Sequence, residues 1–229
     1  MINELDLTSV VLDVDKRDHF FVSVEGTDSE FVLNLLSQEY GKSPSPHEIL
    51  PEKIYSGHLV DVGKVGYGIY VDLGLSELMM DALIPLHRLR EQLNMENTPL
   101  RRLTKSLVFV DNLPVDIVVT KVDLENERVE AEFAPAFLDR FSNWLNDDHE
   151  RLLVFGANLE MIEGTLQKTG HADDVYQIEK LGYFEFALQC KRTTRASGIL
   201  AAIGPRLRGV PMHVFIPNEI RTAIRNAKA

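Results

Sequence analysis

The amino-acid sequence predicts a multi-domain α+β protein in which a central five-stranded β-barrel is flanked by a small N-terminal ββα unit and a C-terminal α+β sandwich. Three observations lead there. Strand-like runs crowd the stretch from Gly57 to Phe133. Helical and strand patterns alternate after it, the mark of an α+β layer. The run Ser43-Pro44-Ser45-Pro46 separates what precedes, because alternate prolines stop both helix and sheet. The expected domains are therefore residues 1–50, 51–133 and 134–229. A chain of 229 residues has room for two or three such units.

In the first unit Val10, Leu12 and Val14 alternate with their neighbours, and Phe21 to Val24 follows the turn-like Asp15-Lys16-Arg17-Asp18, which predicts a hairpin. Thr27-Asp28-Ser29-Glu30 offers capping side chains before Phe31, Val32, Leu35 and Leu36, spaced as one apolar helical face. Gly41 ends that helix. After the barrel, Pro135 to Leu153 reads as a helix on the spacing of Phe137, Phe141 and Leu145. A helix from Leu159, strands at Val175 to Ile178 and Phe184 to Cys190, a helix from Ser197 to Leu207, a strand at Pro211 to Ile216 and a closing helix from Pro217 complete the chain.

Composition is that of an ordinary folded protein, 45% hydrophobic and 26% charged. No apolar run is long enough to span a bilayer and no leader pattern opens the chain, so a cytoplasmic, membrane-free protein is expected. The single cysteine, Cys190, excludes an internal disulfide and a multi-cysteine metal site, and its strand context makes it a core residue. The formal charge of −11 is unevenly spread. Residues 1–50 carry ten acids and three bases, whereas Lys191 to Ala229 carries eight bases and one acid. One end of the chain is basic enough to meet phosphates despite the acidic total.

Within the barrel stretch, Gly57 comes first, then Tyr67-Gly68-Ile69-Tyr70-Val71-Asp72-Leu73, Ala82-Leu83-Ile84-Pro85, Val115 to Asp123 and Arg128 to Phe133. This order resembles the S1 branch of the OB-fold, in which an aromatic-glycine-aromatic second strand faces single-stranded RNA. That resemblance implies RNA binding by Tyr67, Tyr70, Asp123 and Arg128, with His87 standing in for a third-strand histidine whose place is taken by Pro85. Strict alternation would put Tyr67 and Tyr70 on opposite faces, so both reach the ligand only if the strand bulges or coils. Each ring that stacks on a base contributes ~1–3 kcal/mol with little sequence preference. Glu130 and Glu132 share the outward side with Arg128 and repel phosphate there. Arg88, Arg90, Arg101, Arg102 and Lys105, in the long connection before the fourth strand, either offset that repulsion or form a solvated helix.

A second anion site is expected where Lys191, Arg192, Thr194, Arg195 and Ser197 gather at the start of a helix, since free amides and cations there attract phosphate. The alternative is ordinary capping. The chain has no Gly-x-x-x-x-Gly-Lys-Ser/Thr, Gly-x-Ser-x-Gly or His-Glu-x-x-His pattern, and its seven histidines lack ligand spacing. No catalytic residue, metal or cofactor is assigned.

The whole chain, with its Lys-Arg-Thr-Thr-Arg-Ala-Ser-Gly and Phe-Ile-Pro segments, resembles an uncharacterised archaeal family known as a domain of unknown function. Its layout is similar to that of archaeal exosome cap subunits. These resemblances imply an archaeal cytoplasmic protein, non-catalytic, that binds single-stranded RNA in processing, decay or translation, with a protein partner in an RNA-processing or ribosomal assembly. The alternative is a protein-interaction adaptor whose barrel has lost RNA affinity. A third reading, an enzyme for a phosphorylated small molecule, would need a deep pocket lined by Arg192, Thr194 and Arg195. Oligomeric state is not legible.

Overall fold

A computed structural model describes residues 5–15, 19–75 and 80–228, and its backbone falls into two compact units. The first contains strands β1 (Leu7–Val14) and β2 (Phe20–Gly26) and helix α1 (Ser29–Tyr40). The strands pair antiparallel, with Val10 opposite Val24, Leu12 opposite Val22 and Val14 opposite Phe20. Asp15 and His19 close the hairpin through backbone and side-chain hydrogen bonds; Lys16, Arg17 and Asp18 of the expected turn lie outside the described residues. Asp28 precedes α1 without capping it. Its carboxylate accepts instead from the Asp6 amide at 2.7 Å, while Thr27 Oγ1 donates to Asp6, so the helix start is tied to β1. Gly41, at φ +80°, ends the helix as expected.

The second unit opens with the barrel, formed by β3 (Ile54–Val60), β4 (Gly68–Asp72), β5 (Ala82–Pro85), β6 (Pro114–Asp123) and β7 (Arg128–Phe133). The strands are ordered β3-β4-β5-β7-β6, and β6 returns to β3 to close the ring. All pairings are antiparallel except β5 with β7. Alternation fills the interior with Leu59, Ile69, Val71, Ile84, Val115, Ile117, Val119, Val129, Ala131 and Phe133. Closure draws neighbouring backbones together at two glycines. A Cβ on Gly57 would stand 2.4 Å from the Asp72 carbonyl oxygen, and one on Gly68 would stand 2.5 Å from that of Ile84. Only hydrogen fits at either place.

Between β5 and β6 the chain forms two helices, α2 (Leu86–Leu93) and α3 (Leu100–Leu107). Leu89, Leu100, Leu103 and Leu107 are buried, and Arg101, Arg102 and Lys105 occupy the exposed side of α3. The cationic connection is thus a packed amphipathic pair with its charges outward.

The remaining elements are α4 (Pro135–Asn146), β8 (Arg151–Phe155), α5 (Leu159–Thr169), β9 (Val175–Lys180), β10 (Glu185–Cys190), α6 (Ala196–Ile203), β11 (Met212–Phe215) and α7 (Pro217–Lys228). The sheet is antiparallel in the order β11-β8-β10-β9. Two expectations are corrected here. The helix expected over 135–153 ends at Asn146, because Arg151 to Phe155 is a central strand buried along its whole length. The helix expected to Leu207 stops at Ile203, where Gly204 and Pro205 follow. Leu152, Val154, Ile162, Leu166, Phe186, Leu188, Ile199 and Ile203 make the core under α5 and α6.

An aromatic chain joins this sheet to the barrel. Phe133 of β7 stacks on Phe137 of α4 at 4.5 Å, Phe109 meets Phe133 and Phe141, and Phe215 of β11 meets Phe141 at 5.8 Å and Trp144 at 5.4 Å. Arg151, almost fully buried, places its guanidinium over Trp144 and is clamped by both Asp147 oxygens. Burial pushes the Asp147 carboxyl up, but the hydrogen bonds from Arg151 and the His149 amide outweigh it and hold it below its ordinary value. Among the described residues no helix is long and apolar enough to cross a membrane.

Candidate nucleic-acid interface

The outer surface of β4 and β5 carries the sequence-predicted aromatics. Ile69 and Val71 point into the barrel, so Tyr70 points out. Tyr67 stands one residue before β4 begins and is free of the strand's alternation. It reaches the same side without a bulge. The two hydroxyls are hydrogen-bonded at 2.7 Å and the rings meet edge to face, 6.4 Å between centroids at 85°. Tyr67 is 57% exposed, and Tyr70 is half-buried beneath it. That shared hydrogen bond, then burial, pushes the Tyr70 hydroxyl up to about 12. Tyr70 therefore stays neutral, and Tyr67 offers one open ring face.

Arg128 and Asp123 lie at the two ends of the β6–β7 turn, directly opposite one another. Asp123 accepts from the Asn126 amide at 3.2 Å and from its side chain at 3.0 Å, which holds its carboxyl below the usual range and orders the turn. Arg128 is exposed, and its charge reaches the Tyr70 hydroxyl, where it opposes that of Asp81. Tyr67, Tyr70 and Arg128 therefore share one face. His87 is exposed in the first turn of α2, and that turn begins beside Tyr67, whose carbonyl accepts from the Leu86 amide at 2.8 Å.

The expected acidic outer side of β7 is present. Arg88 of α2 donates to Glu132 at 2.8 Å, which removes one of its two carboxylates from the electrostatic account. A groove runs from the β3–β4 loop to the two helices, lined by Gly63, Lys64, Gly66, Arg90, Leu100 and Arg101. Lys64 was not apparent as a site residue from the sequence; it is paired to Asp61 at 2.5 Å at the groove wall. Arg102 and Lys105 lie on the same exposed side of α3, and among the described residues no carboxylate pairs with Arg101, Arg102 or Lys105.

The C-terminal segment is arranged differently. The anion at the start of α6 is Glu150, which accepts from the Ala196 amide at 2.9 Å and from Arg195 at 2.6 Å. Thr194 donates to Asp174, whose carboxyl is held low chiefly by a hydrogen bond from His171. Lys191, Arg192 and Ser197 remain exposed. Nothing in the sequence marks Glu150 as the partner, because it lies 46 residues from the amide it meets. Burial pushes the Cys190 thiol up to about 11, and among the described residues no three His, Cys, Asp or Glu converge to hold a metal.

These features define a multi-domain α+β protein built on a closed five-stranded barrel that presents a tyrosine pair and an arginine on one outer face. Residues 49–145 match the DUF2110 central domain and residues 149–215 the DUF2110 C-terminal domain, together well over half of the chain, which therefore belongs to the DUF2110 family. No curated protein matches the sequence. Among solved structures, the chain is similar to an uncharacterised protein from Methanocaldococcus jannaschii at 17% identity and a TM-score of 0.27, over 38% of this chain and 96% of that one. It is also similar to a multidomain protein with nucleic acid binding domains from Streptococcus pneumoniae at 9% identity and a TM-score of 0.24, over 95% of this chain. It spans 54% of that protein's length.

Proposed function

We propose that this protein binds single-stranded RNA, without catalysing a reaction on it, through the outer β4–β5 face of an S1-type OB barrel. The observation that carries this reading is the convergence of Tyr67, Tyr70 and Arg128 on one surface. The strand order supports the OB assignment, since β4 and β5 are then the second and third strands and the β3–β4 and β6–β7 loops the two that flank the ligand. A base stacks on the open face of Tyr67, and the Tyr70 and Asp123 contacts fix that ring and the neighbouring turn. The strand's phosphates then follow the groove toward Arg101, Arg102 and Lys105, with His87 exposed in the first turn of α2. Single strands are favoured because duplex bases are already stacked. Of the C-terminal segment, the exposed Lys191 and Arg192 add phosphate contacts. The cellular setting is RNA processing, decay or translation in an archaeal cytoplasm.

Fluorescence anisotropy with short single-stranded RNAs tests the face. The Tyr67→Ala/Tyr70→Ala variant is expected to bind roughly 10- to 100-fold more weakly, as the loss of one or two stacked bases requires. Unchanged affinity removes the face from the mechanism. Glu130, still outward beside Arg128, favours a second reading, a protein-interaction adaptor. That reading expects no salt-dependent RNA binding at any strand length.

A further inference from the structure

The edge strand of the C-terminal sheet, β9, carries an aromatic that the barrel face does not use. Tyr176 is 66% exposed, and its ring stacks on that of His149, just before β8, at 5.7 Å between centroids and 23° between planes. The His149 ring is itself anchored. Its Nδ1 lies 2.7 Å from the Cys190 carbonyl oxygen, and because a carbonyl only accepts, Nδ1 carries the proton and the ring plane is fixed. One face of Tyr176 is therefore backed by a held imidazole, while most of the ring stays open to solvent.

Cations adjoin this ring pair. The carbonyl that holds His149 belongs to the residue before Lys191, the Lys191 amide donates to the Asp174 carbonyl at 2.9 Å, and Val175, next to Tyr176, is paired with Cys190. Lys191 and Arg192 thus leave the sheet at the end where Tyr176 sits, and both are exposed. Of the neighbouring acids, Glu150 is held by Arg195, and Asp174 by His171 and Thr194. Among the described residues only Asp173 of these three acids has no partner, against two cations without an ion pair.

We propose that the Tyr176–His149 pair is a second nucleobase platform, on which a base of single-stranded RNA stacks while Lys191 and Arg192 hold its phosphates. This rests on the reading that the protein binds RNA, and not on the barrel face. The surroundings select a base over a protein partner. The exposed positions beside Tyr176 are Gln177 and Lys180 on β9 and Ala172 and Asp173 before it, all small or polar. Tyr176 therefore lacks the packed rim that shields an aromatic anchor in a protein interface from water. A base needs only a flat ring and a cation within reach of its phosphate.

Fluorescence anisotropy with a labelled oligouridine, and ultraviolet crosslinking of the same strand to the unmodified protein, test the platform. Tyr176→Ala is expected to weaken binding roughly 5- to 150-fold, and Tyr176→Phe, which keeps the ring, to leave it unchanged. The crosslink should map to the tryptic peptide 169–180. Since that readout uses the unmodified protein, a folding defect in a variant cannot mask the answer. Unchanged affinity in Tyr176→Ala, an equal loss in Tyr176→Phe, or no crosslink within 169–180 would each overturn the proposal. The two faces fail separately. If Tyr67→Ala/Tyr70→Ala binds as the unmodified protein does while Tyr176→Ala is weakened, the platform stands and the barrel face falls; the reverse result sinks the platform alone. An unmodified protein that binds no RNA overturns both.

Discussion

Replacing Glu150 by alanine tests how the start of α6 is satisfied. Glu150 is 8% exposed and accepts hydrogen bonds from the Ala196 amide and from Arg195. Loss of the carboxylate strands the buried Ala196 amide, at a cost of ~1–3 kcal/mol. Removing a negative charge held against the first turn of α6 adds ~0.5–1 kcal/mol. The Arg195 side chain is 78% exposed, so its share is screened by water and adds less than about 1 kcal/mol. The sum is ~1.5–5 kcal/mol, which lowers the melting temperature of a chain this size by roughly 3–20 °C. Differential scanning calorimetry reads it. The same variant vacates an anion position, so phosphate should raise the melting temperature of Glu150→Ala and leave the unmodified protein unmoved. A loss below about 0.5 kcal/mol, or an equal phosphate response in both proteins, refutes the account of this helix start.

Two further outcomes follow from the barrel. Gly68→Ala forces a Cβ to within 2.5 Å of the Ile84 carbonyl oxygen, and chemical denaturation should find it ~2–3 kcal/mol less stable. In an alkaline titration followed by ultraviolet absorbance, one tyrosine should ionise late, at about 12, and Tyr67→Phe should bring it back toward the ordinary value. Because the folded pKa lies above the unfolded one, the Tyr67–Tyr70 bond stabilises fully below pH 10 and its contribution disappears as pH rises toward 12.

Much of this architecture was legible because its period is local. The barrel strands, the hairpin and helices α1, α5 and α7 follow from alternation, helical spacing, and glycine or proline at their ends. Strand β8 was not legible, since Leu152 to Phe155 is buried on both faces and an unbroken apolar run has no period to read. The tyrosine pair was legible as residues and not as geometry. Its common face depends on β4 starting at Gly68, which the position of β5 decides. The anion site failed to be legible for a different reason. Lys191 to Ser197 has the composition of a phosphate cradle, but whether a cradle is open depends on a residue from another element, here Glu150. The hairpin's apolar alternation was likewise visible.

The aromatic chain from Phe133 to Phe215 has a practical meaning for anyone who divides this chain into pieces. The two family domains part between residues 145 and 149, a natural place to cut on sequence grounds. Physically that cut runs through a single interior. Trp144 and Phe141 would stay with one fragment, whereas Phe215 and the Arg151 that lies over Trp144 would go with the other. Fragments made there would each bare an aromatic surface and bury none of it, and neither would report the behaviour of the intact protein. The smallest piece worth expressing begins before β3 and runs through α7.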